Sequence, residues 1–404
     1  MRNHSITLAA LFFLLLSAPI GVHGDVPPEP ASKEMRSVMR AQLDLGVKLV
    51  HAYNNDANVC VSPYSIHAAL TQVRLGAKGA TAQELDSVLF PDGYSFGVLQ
   101  GYAMLNRTLV QQHEGLKVGL ANSVWVEKRT QLLASFMKST KSFFDSEPGT
   151  FDGSKPEESA ERINRWVASN TADRIQNLLS SDAIGPDLVA VLVNALYFKG
   201  SWVKPFKQDA TIQAPFWLSA SKSIDVPMMR DTQTLAYFED EQWKAVAMPF
   251  TGGLFEYLVM VPKRKLTAEE VARQLESKAI VRCIEGLSSQ RVEFSMPRHE
   301  LRYKRNLVDE LSRLGLSRAL SGEADYSGMA TERVSVGRVL HESFIKVDEY
   351  GAEGAAATAA LMERMAAFTA TPKVLAADRP FVFAIIHRES SAPLFLGVLG
   401  EPKV

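Results

Sequence analysis

Cysteine is almost missing from this chain, with only Cys60 and Cys283 among 404 residues. So few exclude a disulfide-stapled scaffold. Cys60, set in the apolar NVCVS, reads as a buried free thiol rather than half of a bridge. Net charge is missing too: 44 basic and 45 acidic residues leave −1, which argues against a general nucleic-acid binder. Apolar runs long enough to cross a bilayer are also lacking, since no stretch reaches ~18 uncharged apolar residues. The one run of note, residues 6–16, follows Arg2 and precedes SAPIGVHG. A positive start, a short apolar core and small exit residues predict a secretory signal over residues 1–24, cut after Gly24. The expected product is secreted and extracellular, with no membrane span. Between residues 34 and 404 there is no Pro/Gly/Ser-rich linker, low-complexity block or fixed repeat, so residues 25–404 are expected to form a single domain. H-E-x-x-H, C-x-x-C and Walker motifs are absent as well, so no metal or cofactor is expected. GYSFG at residues 93–97 matches the G-x-S-x-G nucleophile elbow in form only. An elbow needs a buried strand leading into the serine, and TAQELDSVLF before it is helical and polar-faced.

What is present alternates between two periods. Met35, Met39, Leu43, Val47 and Val50 share one helical face. In SKPEESAERINRWVASN, Ser154 with Glu157 fits a capping box, Pro156 suits a first turn, and Ala160, Ile163 and Val167 make the stripe. NLVDELSRLG sets Leu307, Leu311 and Leu314 in register and stops on Gly315. LVAVLVNALYF, residues 188–198, is apolar almost throughout, as a strand covered on both faces would be. EYLVMVP, RVEFSMP, FVFAIIH and PLFLGVLG read as further strands. Early helices followed by mixed strands describe an α+β protein.

Seven segments in order, NVCVSPYSIHAAL, ANSVWV, INRWVASNTADRIQNLL, LVNALYFKGSWVKPF, LVDELSRLGLSRAL with ADYSGMA, VLHESFIKVDEYGAEGAAATA and LAADRPFVFAI, resemble the serpins over nearly the whole chain. The resemblance implies about three β-sheets, eight to nine helices and an exposed reactive-centre loop at about residues 349–379. It also implies suicide inhibition of extracellular serine proteases in a 1:1 covalent complex by a monomer that supplies no catalytic group of its own. After cleavage, the loop's first part would insert as a new strand of a large sheet.

The loop sequence can be tested against that implication. In EYGAEGAAATAALMERMAAFTATP a strand from Ala352 would put Ala352, Gly354, Ala356, Thr358, Ala360 and Met362 on one face, none of them charged. The other face would take Ala355, Ala357, Ala359 and Leu361 with both acids, Glu353 and Glu363, so a one-residue slip would bury two carboxylates. Small side chains let a strand enter between strands already packed. A short surface helix, which alanine favours, is the plainer alternative. Glu349, Gly351 and Glu353 match the family's hinge, while Ala352 and Gly354 stand where Thr or Ser and Ala are commoner. Counting from the hinge acid implies a bait bond at Met365–Ala366, for elastase- or chymotrypsin-like enzymes. A loop one residue shorter would make it Arg364–Met365, for a trypsin-like enzyme. The resemblance further implies a gate of Ser62, Ser65, Asn194 and His341 beneath the sheet's opening. It places Trp202 and Arg298 at the top, with Arg298 pairing Glu349 to hold the hinge; an exposed pair would be worth little. Asn106 in NRT is a glycosylation acceptor if exposed, whereas NHS at Asn3 falls inside the signal. The segment around Tyr102 carries no Lys/Arg cluster, so heparin activation is unsupported. The rival reading is a non-inhibitory serpin acting as a carrier or chaperone.

Overall fold

The computed structural model of the chain describes residues 33–109, 115–353 and 371–403. The leader, the signal and loop positions 354–370 lie outside them, and so do Gly354, Ala355, Ala356, Ala357, Thr358, Arg364, Met365 and Ala366.

The apolar stripes fold as helices. In Lys33–Ala52, the residues Met39, Leu43, Val47 and Val50 are buried against the main core. Pro63–Gly76 is buried on nearly every side, with Pro63 in the first helical position and Ser62 as its cap. Pro156–Asn170 buries Ala160, Ile163 and Val167. Its capping box does not form, however. Lys155 holds the cap position without a side-chain bond, and Ser154 instead donates from Oγ to Asp152 Oδ1 at 2.6 Å. The nearer carboxylate, which also accepts the Ser154 N–H at 3.0 Å, wins the serine for a local turn. Val308–Leu311 runs into a wider turn broken at Gly315, whose φ of 107° ends the helix. Leu316, rather than the half-buried Leu314, fills the core there.

Six strands make one sheet, in the order His299–Asn306, Val336–Asp348, Gly351–Ala352, Ala190–Ser201, Leu116–Glu127, Gly149–Phe151. The apolar run at 188–198 becomes the central strand Ala190–Ser201 and is apolar for the reason the pattern implied. Its Ala190, Leu192, Leu196 and Phe198 face the main core, while Val191, Val193, Ala195 and Tyr197 face a smaller cluster beneath Pro156–Asn170.

The other sheet has nine strands. Ser223–Glu239, 17 residues long, pairs Ile212–Trp217 at one end and Trp243–Pro249 at the other. It thereby joins both into one hydrogen-bonded network. The described residues thus hold two networks where about three sheets were expected, together with nine α-helices, in an α+β fold. Both cysteines are buried and free. GYSFG follows the helix Gly79–Leu89 and not a strand, so the elbow geometry is not there.

Candidate hinge and gate of the central sheet

The strands Ala190–Ser201 and Val336–Asp348 run parallel and pair from Ala190/Val336 to Tyr197/Phe344. Above that rung they part, and the chain turns back on itself between them. Gly351 and Ala352 pair with Asp348 and Val347 on one side and with Ser201 and Gly200 on the other. The first residues of the loop are therefore already a two-residue strand inside the sheet. Ala352 is fully buried on the main-core face. Glu353, the next residue, sends its carboxylate to the opposite face, where its hydrogen-bond partner Tyr197 belongs to the smaller cluster.

The close fit explains the glycine at 351. A Cβ there would lie 2.0 Å from the Gly200 carbonyl oxygen, and its φ of 151° is open to few other residues. Gly200 is constrained from the other side, since a Cβ on it would meet Phe250 at 2.7 Å and Phe198 at 2.8 Å. Sequence reading passed over Gly200, although FKGSW is an unusual interruption in an apolar strand.

At the top of the sheet, Trp202 is buried and stacks on Phe250 with centroids 4.5 Å apart. Its Nε1–H donates to the Asp348 carbonyl at 3.0 Å, and its backbone N–H to Tyr350 O at 2.8 Å. Arg298 grips Glu349 with Nε at 2.7 and 2.8 Å from the two carboxylate oxygens and Nη2 at 2.6 Å. The Glu349 side chain is only 2% accessible, so this is not the exposed kind of pair that would be worth little. Burial pushes that carboxyl up, yet the hydrogen bonds from Arg298 and Thr211 outweigh it and hold the group below the usual carboxylate range.

Lower in the sheet, Ser62, Ser65, Asn194 and His341 meet, all fully buried. His341 lies opposite Asn194, which lies opposite Asn122, so one row of rungs carries three polar side chains across three strands on the core face. The Ser62 N–H donates to His341 Nε2 at 3.3 Å. That leaves the proton on Nδ1, which donates to Asn194 Oδ1 at 2.5 Å. Asn194 Nδ2 then donates to Asn122 Oδ1 at 3.0 Å, and the same oxygen accepts from Ser65 Oγ at 2.6 Å. Burial pushes the His341 imidazole down to about 3, so the ring is neutral and the chain of donors runs one way. Asn122 is the hub that sequence reading missed. It stands beside Ser123 in ANSVWV, where one more polar residue raised no alarm.

Asn106 is half-buried on the helix Phe96–Leu109. Its Nδ2 donates to Phe143 O at 2.9 Å and its Oδ1 accepts from the Tyr64 hydroxyl. A glycan on that nitrogen would leave it one N–H of its two, and the half-burial narrows the room for an acceptor there without closing it. The bait residues Arg364, Met365 and Ala366 lie outside the described residues. Among the described residues, no group of His, Cys, Asp and Glu could hold a metal, and no helix is long and apolar enough to cross a membrane.

Comparison with known proteins extends the picture. Residues 40–402 match the family model described as Serpin (serine protease inhibitor). The bovine protein named leukocyte elastase inhibitor is 32% identical over 373 residues, covering 90% of this chain and 98% of its own length. Human serpin B4 is 30% identical, with 86% and 95% covered. Among solved structures, native protease nexin-1 with heparin superposes with a TM-score of 0.81 at 26% identity, over 91% of this chain and all of its own. Uncleaved ovalbumin, at 23% identity, shares the fold with a TM-score of 0.79 over 92% of this chain.

Proposed function

The chain belongs to the serpin family, and on that premise we propose that it is a secreted suicide inhibitor of serine proteases. Its loop, once cut, inserts between the strands Ala190–Ser201 and Val336–Asp348. The observation that carries this reading is the hinge strand Gly351–Ala352, hydrogen-bonded on both sides at the point where those strands part. After Glu353 the residues GAAAT are small and uncharged, and Glu353 and Glu363 fall on the same face in strand register.

Energetics supports the direction of the change. Insertion breaks a parallel ladder of eight paired positions and builds two ladders along the same length. The net gain is about eight hydrogen bonds, or on the order of 4–12 kcal/mol. The protease serine attacks the bait bond, an acyl-enzyme forms, and insertion draws the tethered enzyme away from its working geometry. Deacylation needs a placed water, a histidine and oxyanion donors, and small displacements cost large rate factors. The inhibitor supplies strain release and no catalytic group.

The bait bond is assigned to Met365–Ala366, with Arg364–Met365 second. An apolar methionine suits an elastase- or chymotrypsin-like pocket, and the bovine relative's name points to an elastase. Secretion rests on the leader alone, and we take residues 25–404 as one monomeric domain.

Mixing the protein with elastase, chymotrypsin and trypsin tests the proposal. An SDS-stable 1:1 adduct is expected with at least one of them, and the released fragment should begin at Ala366. Cleavage of the loop with no adduct would overturn inhibition and favour a carrier or chaperone.

A further inference from the structure

We infer that Arg174 and Tyr197 are positioning residues that grip the hinge carboxylate of Glu353 from the two sides of the sheet's opening and keep the seed of the inserting strand seated. The consequence for inhibition rests on the function proposed above, but the grip itself does not.

The geometry is specific. Arg174 Nε lies 2.8 Å from Glu353 Oε1, and the Tyr197 hydroxyl donates to the other carboxylate oxygen. The Glu353 side chain is only 9% accessible, so its charge needs partners where it sits. Each partner is anchored to a different side of the gap. Tyr197 belongs to the central strand Ala190–Ser201 and is packed in the smaller cluster. Arg174 is tied to the opposite edge, because Arg302 on the strand His299–Asn306 donates from Nη2 to the Arg174 carbonyl at 2.9 Å and from Nη1 to Glu342 at 2.6 Å.

Two successive left-handed residues, Ala172 and Asp173, turn the chain sharply after Pro156–Asn170. The Arg174 N–H closes that turn on Thr171 O at 3.0 Å. A turn of this kind at two non-glycine positions is uncommon, and it delivers the guanidinium to the mouth of the gap.

The grip is also in the right place to start insertion. The Glu353 N–H donates to Lys346 O at 2.8 Å, one rung beyond Ala352/Val347. A strand continuing in that register would leave the Glu353 carboxylate where it now is. Only its backbone, now left-handed at φ 50°, would have to extend. Arg174 and Tyr197 therefore hold a residue that the intact and inserted forms place alike, and insertion begins from seated residues rather than from none.

Hydrogen exchange at the amides of Ala352 and Glu353 in the full-length intact protein tests the grip without any protease. Arg174→Ala and Tyr197→Phe are each expected to raise exchange there about tenfold, the factor that about 1.4 kcal/mol of lost interaction gives. Arg174→Lys should retain most of the protection, and amides at the His341–Asn194 rung should be unchanged in all three. Unaltered exchange at Ala352 and Glu353, or a loss spread over the whole sheet, would overturn the grip. In the adduct assay the same two variants should consume severalfold more inhibitor per protease trapped. Raised exchange with unchanged consumption would overturn the seeding role. If the wild type traps no protease at all, the proposed function fails while the exchange result still decides the grip.

Discussion

Replacing Asn194 by alanine should separate the intact protein from its loop-cut form. In the intact fold Asn194 Oδ1 is the acceptor for His341 Nδ1–H, and its Nδ2 donates to Asn122. The substitution leaves the histidine N–H buried and unpaired, which costs about 1–3 kcal/mol, and removes the Asn122 bond for about 1 more. A total near 3 kcal/mol, set against an unfolding entropy of about 0.8 kcal/mol per degree for a chain of this length, lowers the melting temperature by about 4 °C. After insertion a new strand would separate Asn194 from His341, so the bond between them is already gone. Only the Asn122 bond is then lost, worth about 1 °C. The assay is a pair of thermal melts, wild type and Asn194→Ala, run intact and after the loop is nicked by a non-serine protease. A fall several degrees larger in the intact pair is expected. Equal falls in both pairs would show that the rung is not opened on cleavage, and would refute the reasoning.

Acid should destabilise the protein well before its carboxylates titrate. Burial pushes His341 down to about 3 and His67, His299 and His387 down to about 4. The unfolded chain takes up these protons below about 6.5, and the folded chain refuses them. Stability present above pH 6.5 is thus lost as the pH falls toward 4, by about 1.4 kcal/mol per pH unit for each histidine. Urea midpoints that stay level between pH 7 and 5 would contradict this. Arg298→Ala strands the Glu349 carboxylate, whose side chain is 2% accessible. The exposed third of the arginine reduces the loss to about 2 kcal/mol, measured as a lower midpoint, and it should be regained in part at pH 4, where the acid can take a proton. A loss that is the same at both pH values would contradict it.

Much of the candidate hinge and gate was legible because polarity stood out against its setting. Asn194 interrupts an apolar run, and a single amide there has to find partners. The central strand's cover on both faces was readable from the same run. Residues whose role depends on distant partners were not legible. Arg174 is one surface cation among many until the fold brings it to Glu353, and Asn122 hides among polar neighbours. The burial of Glu349 was not legible, because an acid between Asp348 and Tyr350 carries no local sign of it. Nothing local says that Thr211 and Arg298 close around it. The capping box failed for a local reason that was itself in the sequence, since Asp152 competes for Ser154 at shorter range than the helix does. The sheet count depended on whether one long strand would pair different neighbours at its two ends, and hydrophobic period alone carries no information on that.

Comparing the melting temperatures of the intact protein and the protein nicked once within residues 354–370 tests most directly whether free energy is stored in the uncut fold. The ladder exchange worked out above predicts that the nicked form melts higher, by about 10 °C for a gain near 8 kcal/mol. A nicked form that melts with the intact one, or below it, would contradict the account.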